Sequence, residues 1–478
     1  MRLQLDQTDI AGRSHWLQQA LAEDNEVQPS LAGEIQADIC IIGGGYLGLW
    51  SAIQLKDHDP SLKIVLLEQD ICGGGASGRN SGMLLSAWPK AGALAALRGE
   101  DDGLDLVRRS LDAIGEIARF CSSEGIDAWF DQVGWIWGAT CDRQVGAWNS
   151  ALDWLDRRGL QPARPVSRDA IAHMTGTSSH LAGVFDGSAA TVHPGFLVRG
   201  LHRAALRRGV FIYERSTMQR FTRTATPRII TENGVVVANT LILAMNAWSA
   251  RIPELAPAII NIASDDAVSA PMVETLRQIG WSRGPFIIDS RIFVSGYRVT
   301  RDGRLNVGVT GGAIGFGALI DQRFHRPSTR VEDMRRALRQ GHPALVDFTV
   351  ASAWNGPIDR TDNGLPLFGR LPGCPNVLYG YGFSGNGIGM TYLGGQILRS
   401  LALGLRDSWA ECALVRRVRR GFPPEPFRFV GAHLVRGAVR RRDKLEHTGR
   451  SPDLMTAWLA GLAPSGVTPS KAHIQRAE

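Results

Sequence analysis

The sequence predicts an α/β protein of two domains, one of which is assembled from separate stretches of the chain. A strand–helix–strand unit occupies residues 37–68, and buried strands and helices return near 193–247 and at 376–404. The stretches between them carry helices and short strands of a different pattern. A chain of 478 residues is also longer than one hydrophobic core usually supports. We therefore expect a second, α+β domain inserted into a discontinuous parallel one.

The first elements follow from burial and periodicity. The runs ADICII (37–42) and KIVLLE (63–68) are short and apolar, as buried strands are, and YLGLWSAIQLKDH (46–58) between them is predicted to be a helix. Upstream, HWLQQALAED (15–24) has apolar residues at helical spacing. Residues 1–35 are therefore expected to form a capping segment in front of the first domain.

The later elements are predicted in chain order from the same patterns. They are a mostly helical region at 101–180 with a strand at 134–140, a helix at 193–209, short strands at 210–215, 217–222, 228–231, 235–238 and 240–247, further strands within 284–312, an amphipathic helix at 328–341, a strand at 376–382 and a helix at 388–404.

Composition excludes several classes of protein. Hydrophobic residues make up 44% and charged residues 21%, as in globular proteins, and no apolar run reaches the length of a membrane span. The N-terminus lacks the apolar core of a secretory signal, and the six cysteines form no C-x-x-C pair. We expect a cytoplasmic, reducing location. The 11 histidines include no H-x-x-x-H pair, so no metal site is expected.

The net charge of +7 does not indicate nucleic-acid binding. Its excess is concentrated near the C-terminus, and no nucleic-acid motif accompanies it. The arginines concerned are Arg416, Arg417, Arg419, Arg420, Arg436, Arg440, Arg441 and Arg442. We expect residues 406–478 to form a basic C-terminal extension.

The first glycine motif predicts a dinucleotide site. Gly43, Gly45 and Gly48 directly follow a strand and open a helix, with Tyr46 and Leu47 between them. In such a turn the glycines permit tight bending, close approach of a pyrophosphate and close packing of the helix on the strand. Glu68 ends the next strand, where a carboxylate accepts from a ribose and repels a 2′-phosphate. The unit favours FAD or NAD over NADP.

Two further matches to the same glycine pattern lack that context. The match at 73–78 does not follow a strand directly and has no strand-ending acid about 20 residues later. It is either a surface loop or a second ligand-binding loop, in which Arg79 and Asn80 offer fixed donors beside backbone N–H groups. The third match, at 380–385, precedes the last predicted helix.

Five motifs in order resemble one family. They are IIGGGYLGLWSAIQL, LLEQDICGGGASGRNSG, ATVHPGFLVRGL, LILAMNAWS and the pair DNGLPLFGRLP and NVLYGYGFSGNGIGM. Together they resemble the FAD-dependent D-amino-acid oxidase and glycine oxidase superfamily over residues 36–405. The chain is most similar to the branch of γ-glutamylputrescine oxidase-like and aminophosphonate oxidoreductase-like proteins.

The resemblance implies a Rossmann-type FAD-binding domain with an inserted α+β substrate domain built on a mixed or antiparallel sheet. The FAD-binding domain would comprise residues 36–90, 190–250 and 355–405, and the substrate domain residues 91–189 and 251–354. The resemblance also implies a small-molecule amine substrate, oxygen or another electron acceptor, and a monomer or small homo-oligomer.

The resemblance assigns the cofactor contacts to five stretches. They are Gly43, Gly45, Tyr46, Leu47 and Gly48; Glu68 and Gln69; Gly75, Ala76, Ser77, Arg79, Asn80, Ser81, Gly82 and Met83; Met218, Ala244, Asn246 and Trp248; and Phe383, Ser384, Gly385, Asn386, Gly387 and Ile388. The last stretch would point the N-terminus of a helix at the flavin, stabilising negative charge there. Non-covalent FAD is expected because residues 75–83 contain neither His nor Cys, although attachment through Cys374 stays open.

The chemistry implied by the resemblance is hydride transfer from the carbon next to an amine to flavin N5, giving an imine that is hydrolysed or used further. No acid–base machinery is required, and His193 is predicted to be structural. Two alternatives stay open: a biosynthetic amine dehydrogenase that reacts poorly with oxygen, and a flavin-bearing subunit without its own catalysis. An NAD-dependent dehydrogenase is disfavoured by the two later glycine motifs.

Substrate contacts are predicted from the second domain's sheet and the loop after Gly82. Tyr297 and Arg298 are the candidate catalytic residues; Arg298 would clamp a substrate anion or form an ordinary ion pair. Leu85, Trp88 and Lys90 are expected to line the pocket.

Two positions depart from the branch's usual sequence. Gly296 replaces a tyrosine, and Thr310 replaces a lysine that assists reaction with oxygen in similar oxidases. Between Lys90 and Lys444 the chain has no lysine. Either Lys90 substitutes for that residue or electrons leave to another acceptor.

Overall fold

Two eight-stranded sheets dominate the computed structural model, which describes residues 3–5 and 7–464. The helices are α1 (Gln7–Ala11), α2 (His15–Glu23), α3 (Tyr46–His58), α4 (Ala91–Arg98), α5 (Glu100–Ser123), α6 (Asn149–Asp156), α7 (Arg168–Thr175), α8 (Pro194–Arg207), α9 (Val273–Ile279), α10 (Val331–Gly341), α11 (Ile388–Leu403), α12 (Phe427–His447) and α13 (Leu454–Gly461). The strands are β1 (Leu3–Gln4), β2 (Glu26–Val27), β3 (Gly33–Ile42), β4 (Ile64–Leu67), β5 (Met83–Leu84), β6 (Trp135–Ala139), β7 (Arg164–Ser167), β8 (Ala182–Asp186), β9 (Ala190–Thr191), β10 (Phe211–Tyr213), β11 (Arg220–Phe221), β12 (Arg228–Ile230), β13 (Gly234–Leu243), β14 (Ile260–Ser269), β15 (Phe286–Asp289), β16 (Ser295–Val299), β17 (Leu305–Val309), β18 (Val350–Arg360), β19 (Leu367–Leu371) and β20 (Cys374–Tyr381).

The first sheet has the parallel centre that the strand–helix–strand unit predicts, and its edge strands β11, β12 and β19 pair antiparallel. Its strands lie in the order β10-β4-β3-β13-β12-β11, with β20 joining β13 in parallel and β19 pairing β20. All four residues of β4 are buried, as in strands covered on both faces. The helix α3 is buried almost all round because it packs against both α11 and α8. The carboxyl ends of β3, β13 and β20 therefore meet at one edge, where a ligand site is expected.

The second sheet is mixed, as predicted. Its order is β18-β14-β17-β16-β15-β6-β8-β7, and every pairing is antiparallel except that of β15 with β6. Its strands come from residues 135–186 and 260–360. The strand β18 continues past residue 354, where the sequence-based domain limit was placed, and ends at Arg360.

Most elements predicted from the sequence occur, with two differences. The strands predicted at 235–238 and 240–247 form one strand, β13, because pairing with β3 continues across the polar residues between them. The strand predicted at 217–222 is reduced to the two residues of β11. Among the described residues, none of the helices has the length and apolar character that a membrane span needs.

The N-terminal segment joins the two sheets through Trp16, which is fully buried. Its ring meets His193 at 5.2 Å and Trp354 of β18 at 5.7 Å, between centroids, and the Arg298 guanidinium lies 5.2 Å from it. His193 is structural, as predicted: its Nδ1 accepts a hydrogen bond from the Phe196 N–H at the start of α8. One tryptophan therefore bridges the capping segment and both domains.

Replacing Trp16 should destabilise the whole protein. Trp16→Ala is expected to lower the free energy of unfolding by about 3–5 kcal/mol, because it leaves a cavity where three elements meet. Denaturant unfolding of the purified protein measures this. Phe211→Ala, at a half-exposed site of β10, is the control and should change it by less than about 0.5 kcal/mol. Equal effects of the two substitutions would contradict the bridging role.

Candidate active site

A cavity of about 1120 Å³ is lined by the carboxyl edge of the first sheet and by one face of the second. From the second sheet it takes the alternate residues Ser264 and Asp266 of β14, together with Ile288 of β15, Gly296 of β16, Gly308 of β17 and residues 356–360 at the end of β18. Alternate residues of a strand point to the same face, so one side of this sheet covers the cavity.

The first glycine turn has the geometry that the sequence predicts. Gly43 has φ +113°, and a Cβ there would lie 2.4 Å from the carbonyl oxygen of Ala244. A Cβ at Gly48 would lie 1.9 Å from the oxygen of Gly43. Only glycines allow this approach of α3 to the strands. The helix begins beside the cavity, and its cap residue Gly45 makes no side-chain capping bond. The N-terminus of α3, which is the positive end of the helix dipole, therefore borders the cavity.

Glu68 directly follows β4 and lines the cavity, where it is held by two backbone groups. Its Oε2 accepts from Gly44 N at 2.7 Å and its Oε1 from Asp70 N at 2.9 Å. Burial raises the pKa of its carboxyl to about 7. The carboxyl oxygens keep lone pairs for further acceptance, as a ribose hydroxyl requires.

The second glycine-rich loop, residues 73–82, folds against the first turn. Ser77 Oγ accepts from Tyr46 N at 2.9 Å, which places the loop beside the start of α3. Asn80 donates to the oxygen of Ser77 and accepts from Gly82 N. Arg79 donates through Nε to the oxygen of Gly74 and through Nη1 to that of Asn355. Both side chains line the cavity, but these bonds hold the loop itself in shape.

The third glycine motif forms the start of α11 on another side of the cavity. Gly382, Ser384 and Gly385 all have positive φ, between 56° and 95°. The cap residue Gly387 makes no side-chain capping bond. Asn386 Nδ2 donates to the oxygen of Ser86, which ties this turn to the loop after β5. A second helix N-terminus is thereby presented to the cavity.

The residues after β13 contain a feature that fits a bound cofactor. Asn246 has φ +48° and lines the cavity together with Met218, Ala244 and Trp248. Its Oδ1 is buried and lacks a hydrogen-bond partner among the described residues. A strained residue that directs an unsatisfied polar atom into a cavity is typical of a ligand contact.

The structure brings all but two of the predicted cofactor residues into the lining of this one cavity. Gly48 and Gly82 are the exceptions, and sterics explain both. Gly48 lies behind the lining, against Gly43, and a Cβ at Gly82 would be 2.1 Å from the oxygen of Val192. These two glycines serve close packing. Leu85 and Lys90 line the cavity as expected. None of the six cysteines does, and Cys374 is at the far end of β20 from Gly382.

The structure does not place the predicted catalytic residues, or Trp88, in the lining. Arg298 is buried and donates to the backbone oxygens of Ser81 and Val192, at 2.6 and 3.0 Å. These bonds give Arg298 a structural role at the contact between the two domains, and its part in substrate binding stays a prediction. The sequence of a single strand does not reveal that the Arg298 guanidinium contacts a loop of the other domain.

Tyr297 and Trp88 are likewise core residues. The Tyr297 hydroxyl lies 2.8 Å from His180 Nε2, and its ring packs against Trp281. Trp88 donates to Asp186 at 2.9 Å. Alternation explains Tyr297, because the cavity-facing residue of β16 is its neighbour Gly296.

Sequence reasoning missed several charged residues of the cavity, among them Asp266 and Arg360. Asp266 accepts from Ser81 Oγ at 2.6 Å, and burial raises the pKa of its carboxyl to about 7. Arg360 is buried at the end of β18, and burial lowers the pKa of its guanidinium to about 10. Their signal was a charged residue within an apolar strand, which becomes readable only once the register is known.

A buried group elsewhere has the residue types of a metal site. Cys72, His202 and Glu214 are the one such group among the described residues. Arg199 places a guanidinium nitrogen 3.7 Å from the Glu214 carboxylate. That positive charge disfavours the binding of a metal cation to this group. The expectation that the protein has no metal site stays a prediction.

Comparisons with known proteins identify the family. The model of a family described as FAD dependent oxidoreductase (DAO) matches residues 38–401. Gamma-glutamylputrescine oxidoreductase of Escherichia coli is 27% identical over 80% of this chain and 88% of its own length. A probable oxidoreductase OrdL of Haemophilus influenzae is 26% identical over 79% of this chain and 85% of its own.

Solved structures show the same fold. Glycine oxidase from Geobacillus kaustophilus superimposes with a TM-score of 0.67 at 19% identity, covering 80% of this chain and 100% of that one. Iminodiacetate oxidase from Chelativorans gives 0.64 at 18% identity, with 80% and 100% covered. Because the family model spans most of the chain, this protein belongs to the DAO family of FAD-dependent oxidoreductases.

Proposed function

We propose that this enzyme oxidises a primary or secondary amine with an anionic end, such as an amino acid or an aminophosphonate. The observation that carries the proposal is a pair of buried cations, Lys90 and Arg360, in the cavity that the glycine turns enclose. Burial, together with the nearby charge of Arg360, lowers the pKa of Lys90 to about 7. An anion that binds between two desolvated cations relieves this penalty.

The names of similar proteins support this substrate class. Glycine oxidase and iminodiacetate oxidase are named for substrates that carry both an amine and a carboxylate. FAD, when bound, accepts a hydride from the carbon next to the amine. The fit of the glycine turns, Glu68 and Asn246 supports non-covalent FAD, as does the absence of cysteines from the cavity lining.

The chain's own residues would orient and deprotonate the substrate. Lys90 and Arg360 would hold the anionic end, and the face of the second sheet would exclude water. The amine must lose its ammonium proton before its C–H bond can react. Asp266 is a carboxyl in the same cavity with a pKa raised to about 7, which suits a proton acceptor near neutral pH.

Features of the sequence and of the cavity support two other functions. Thr310, at the position of the usual lysine, lines the cavity, which favours an amine dehydrogenase with poor oxygen reactivity. Tyr297 and Arg298 lie outside the cavity lining, which favours a flavin-bearing subunit without its own catalysis. We favour catalysis because Asp266, Lys90 and Arg360 supply charged groups in the cavity. We also propose a cytoplasmic location, where the six free cysteines stay reduced.

An amine panel tests the proposed function. Anaerobic addition of amino acids, aminophosphonates and uncharged amines of equal size should bleach the flavin absorbance only with the anionic amines. Re-aeration then distinguishes an oxidase, which recovers its colour quickly, from a dehydrogenase. Purified holoprotein that no amine bleaches would contradict the proposal and support the non-catalytic alternative.

The anionic subsite predicts a pH dependence. Lys90, with a pKa of about 7, is charged below that pH and loses its proton above it. The KM for an anionic amine, corrected for the substrate's own ionisation, should therefore rise with pH above 7, by at most about tenfold per unit. Lys90→Arg should move this rise to higher pH. Lys90→Met should raise KM about 10–100-fold at pH 6, whereas the exposed-site control Lys63→Met should leave it unchanged. A flat profile in the native enzyme would remove Lys90 from the subsite.

Thr310 predicts slow reaction with oxygen. Thr310→Lys should accelerate re-oxidation of the reduced enzyme by oxygen at least about tenfold, because a cation stabilises negative charge as it develops on oxygen. Stopped-flow absorbance measures the rate. Thr310→Met, of similar length but uncharged, is the control and should leave it unchanged. If native enzyme already re-oxidises as fast as Thr310→Lys, the position does not limit oxygen reactivity.

A further inference from the structure

The C-terminal segment carries the whole net charge of the protein. Residues 406–478 contain 14 Lys and Arg against 7 Asp and Glu, a difference of +7 that equals the net charge of the chain. Residues 1–405 are therefore neutral overall. The family model ends at residue 401, so this charge lies on a segment outside the family domain.

One side of α12 is fixed to the protein body. Its buried residues are Arg428, Ala438 and Val439. Arg436 donates to the oxygen of Gly312 at 2.7 Å, and Arg440 donates to that of Gly311 at 3.2 Å. These contacts define which face of the helix is turned outward.

The outward face of α12 is apolar at its start and basic at its end. Phe427, Val430 and Leu434 are 69%, 53% and 58% exposed, and their spacing of three and four residues places them on one stripe. The stripe continues to Arg441 and Lys444, which are also exposed.

The helix α13 exposes further large apolar side chains. Leu454 is 90% exposed, Met455 72% and Trp458 65%, and Leu462 is also exposed. Asp453 holds the helix by capping Thr456 N at 2.9 Å and pairing with Arg441 at 3.1 Å. We call the exposed residues of α12 and α13 named in this paragraph and the previous one the C-terminal face.

We infer that the C-terminal face binds the surface of an anionic lipid bilayer and lies on it without crossing it. Exposed Leu, Phe and Trp beside Lys and Arg is the composition of helices that lie in a lipid–water interface. Anionic headgroups would attract the basic residues while the apolar side chains enter the acyl boundary.

The charge and the apolar residues of the C-terminal segment argue against two other occupants, a second copy of the chain and a nucleic acid. A symmetric contact with a second copy would bring two segments of charge +7 together. A nucleic acid would engage the arginines but leave the aliphatic residues of both helices in water. The inference is independent of the substrate that the cavity accepts.

Vesicle flotation with the purified full-length holoprotein tests this inference. Vesicles of phosphatidylcholine and phosphatidylglycerol should bind the protein, and vesicles of phosphatidylcholine alone should bind it much more weakly. About 1 M salt, which shortens the Debye length to roughly 3 Å, should release most of it. Equal binding to both vesicles, or binding to neither, would overturn the inference.

Paired variants separate this face from general charge and hydrophobicity. Leu454→Ser with Trp458→Ser should reduce vesicle binding at least about tenfold, whereas Val273→Ser with Phe211→Ser, at exposed apolar sites elsewhere, should not. Replacing Arg441 and Lys444 of the C-terminal face by Gln should reduce binding by about fivefold per charge. Replacing Arg119 and Arg277 by Gln changes the net charge equally and should have little effect.

Two further results would overturn the inference. One is equal loss of vesicle binding in the C-terminal and control variants. The other is a dimer in the native protein that the Leu454 and Trp458 variant dissociates, which would assign the face to a second copy. All variants should keep the native melting temperature and flavin content, because the substituted side chains are exposed.

Discussion

The loop at residues 73–82 is the contact on which both domains depend. Its Ser77 accepts from the start of α3, its Gly78 oxygen accepts from Ser14, and its Ser81 bonds Asp266 of the second sheet at 2.6 Å. Arg298 and Trp354 of the second sheet donate to the oxygens of Ser81 and Arg79. The capping segment and both sheets therefore share hydrogen bonds with ten residues of loop. Because those bonds use protein groups on one side, the loop can present its other side to a ligand.

This arrangement also explains which parts of the site the sequence could predict. Each of the glycine turns at 43–48, 73–82 and 382–387 is a continuous stretch of sequence with local chemistry. Pattern and resemblance therefore predicted residues that nearly all line the cavity. Asp266 and Arg360 face the cavity only because β14 and β18 pair in one register, with Asp266 opposite Trp354 and Arg360 opposite Ile260. A shift of one residue would turn each side chain to the opposite face. Such information is not local, and no pattern within a single strand contains it.

Arg298 is the opposite case, because it was predicted to contact the substrate and lies outside the cavity lining. An arginine near a tyrosine on a strand of the substrate domain is a reasonable anion clamp by residue type. In the structure its guanidinium donates to two carbonyls of the first domain, and Lys90 and Arg360 are buried cations of the cavity lining. The chemistry expected at the site is thus retained, although other residues supply it.

The buried cations have a consequence for stability. Lys90 has a lowered pKa in the folded protein, so its charged form is less favourable there than in the unfolded chain. The unfolded chain binds more protons between the two pKa values, and this group therefore makes folding less favourable below pH 7 than well above it. An anion in the cavity would remove part of that penalty, because it binds only the folded state. The same desolvation that makes the site selective for an anionic substrate thus makes the protein without substrate less stable.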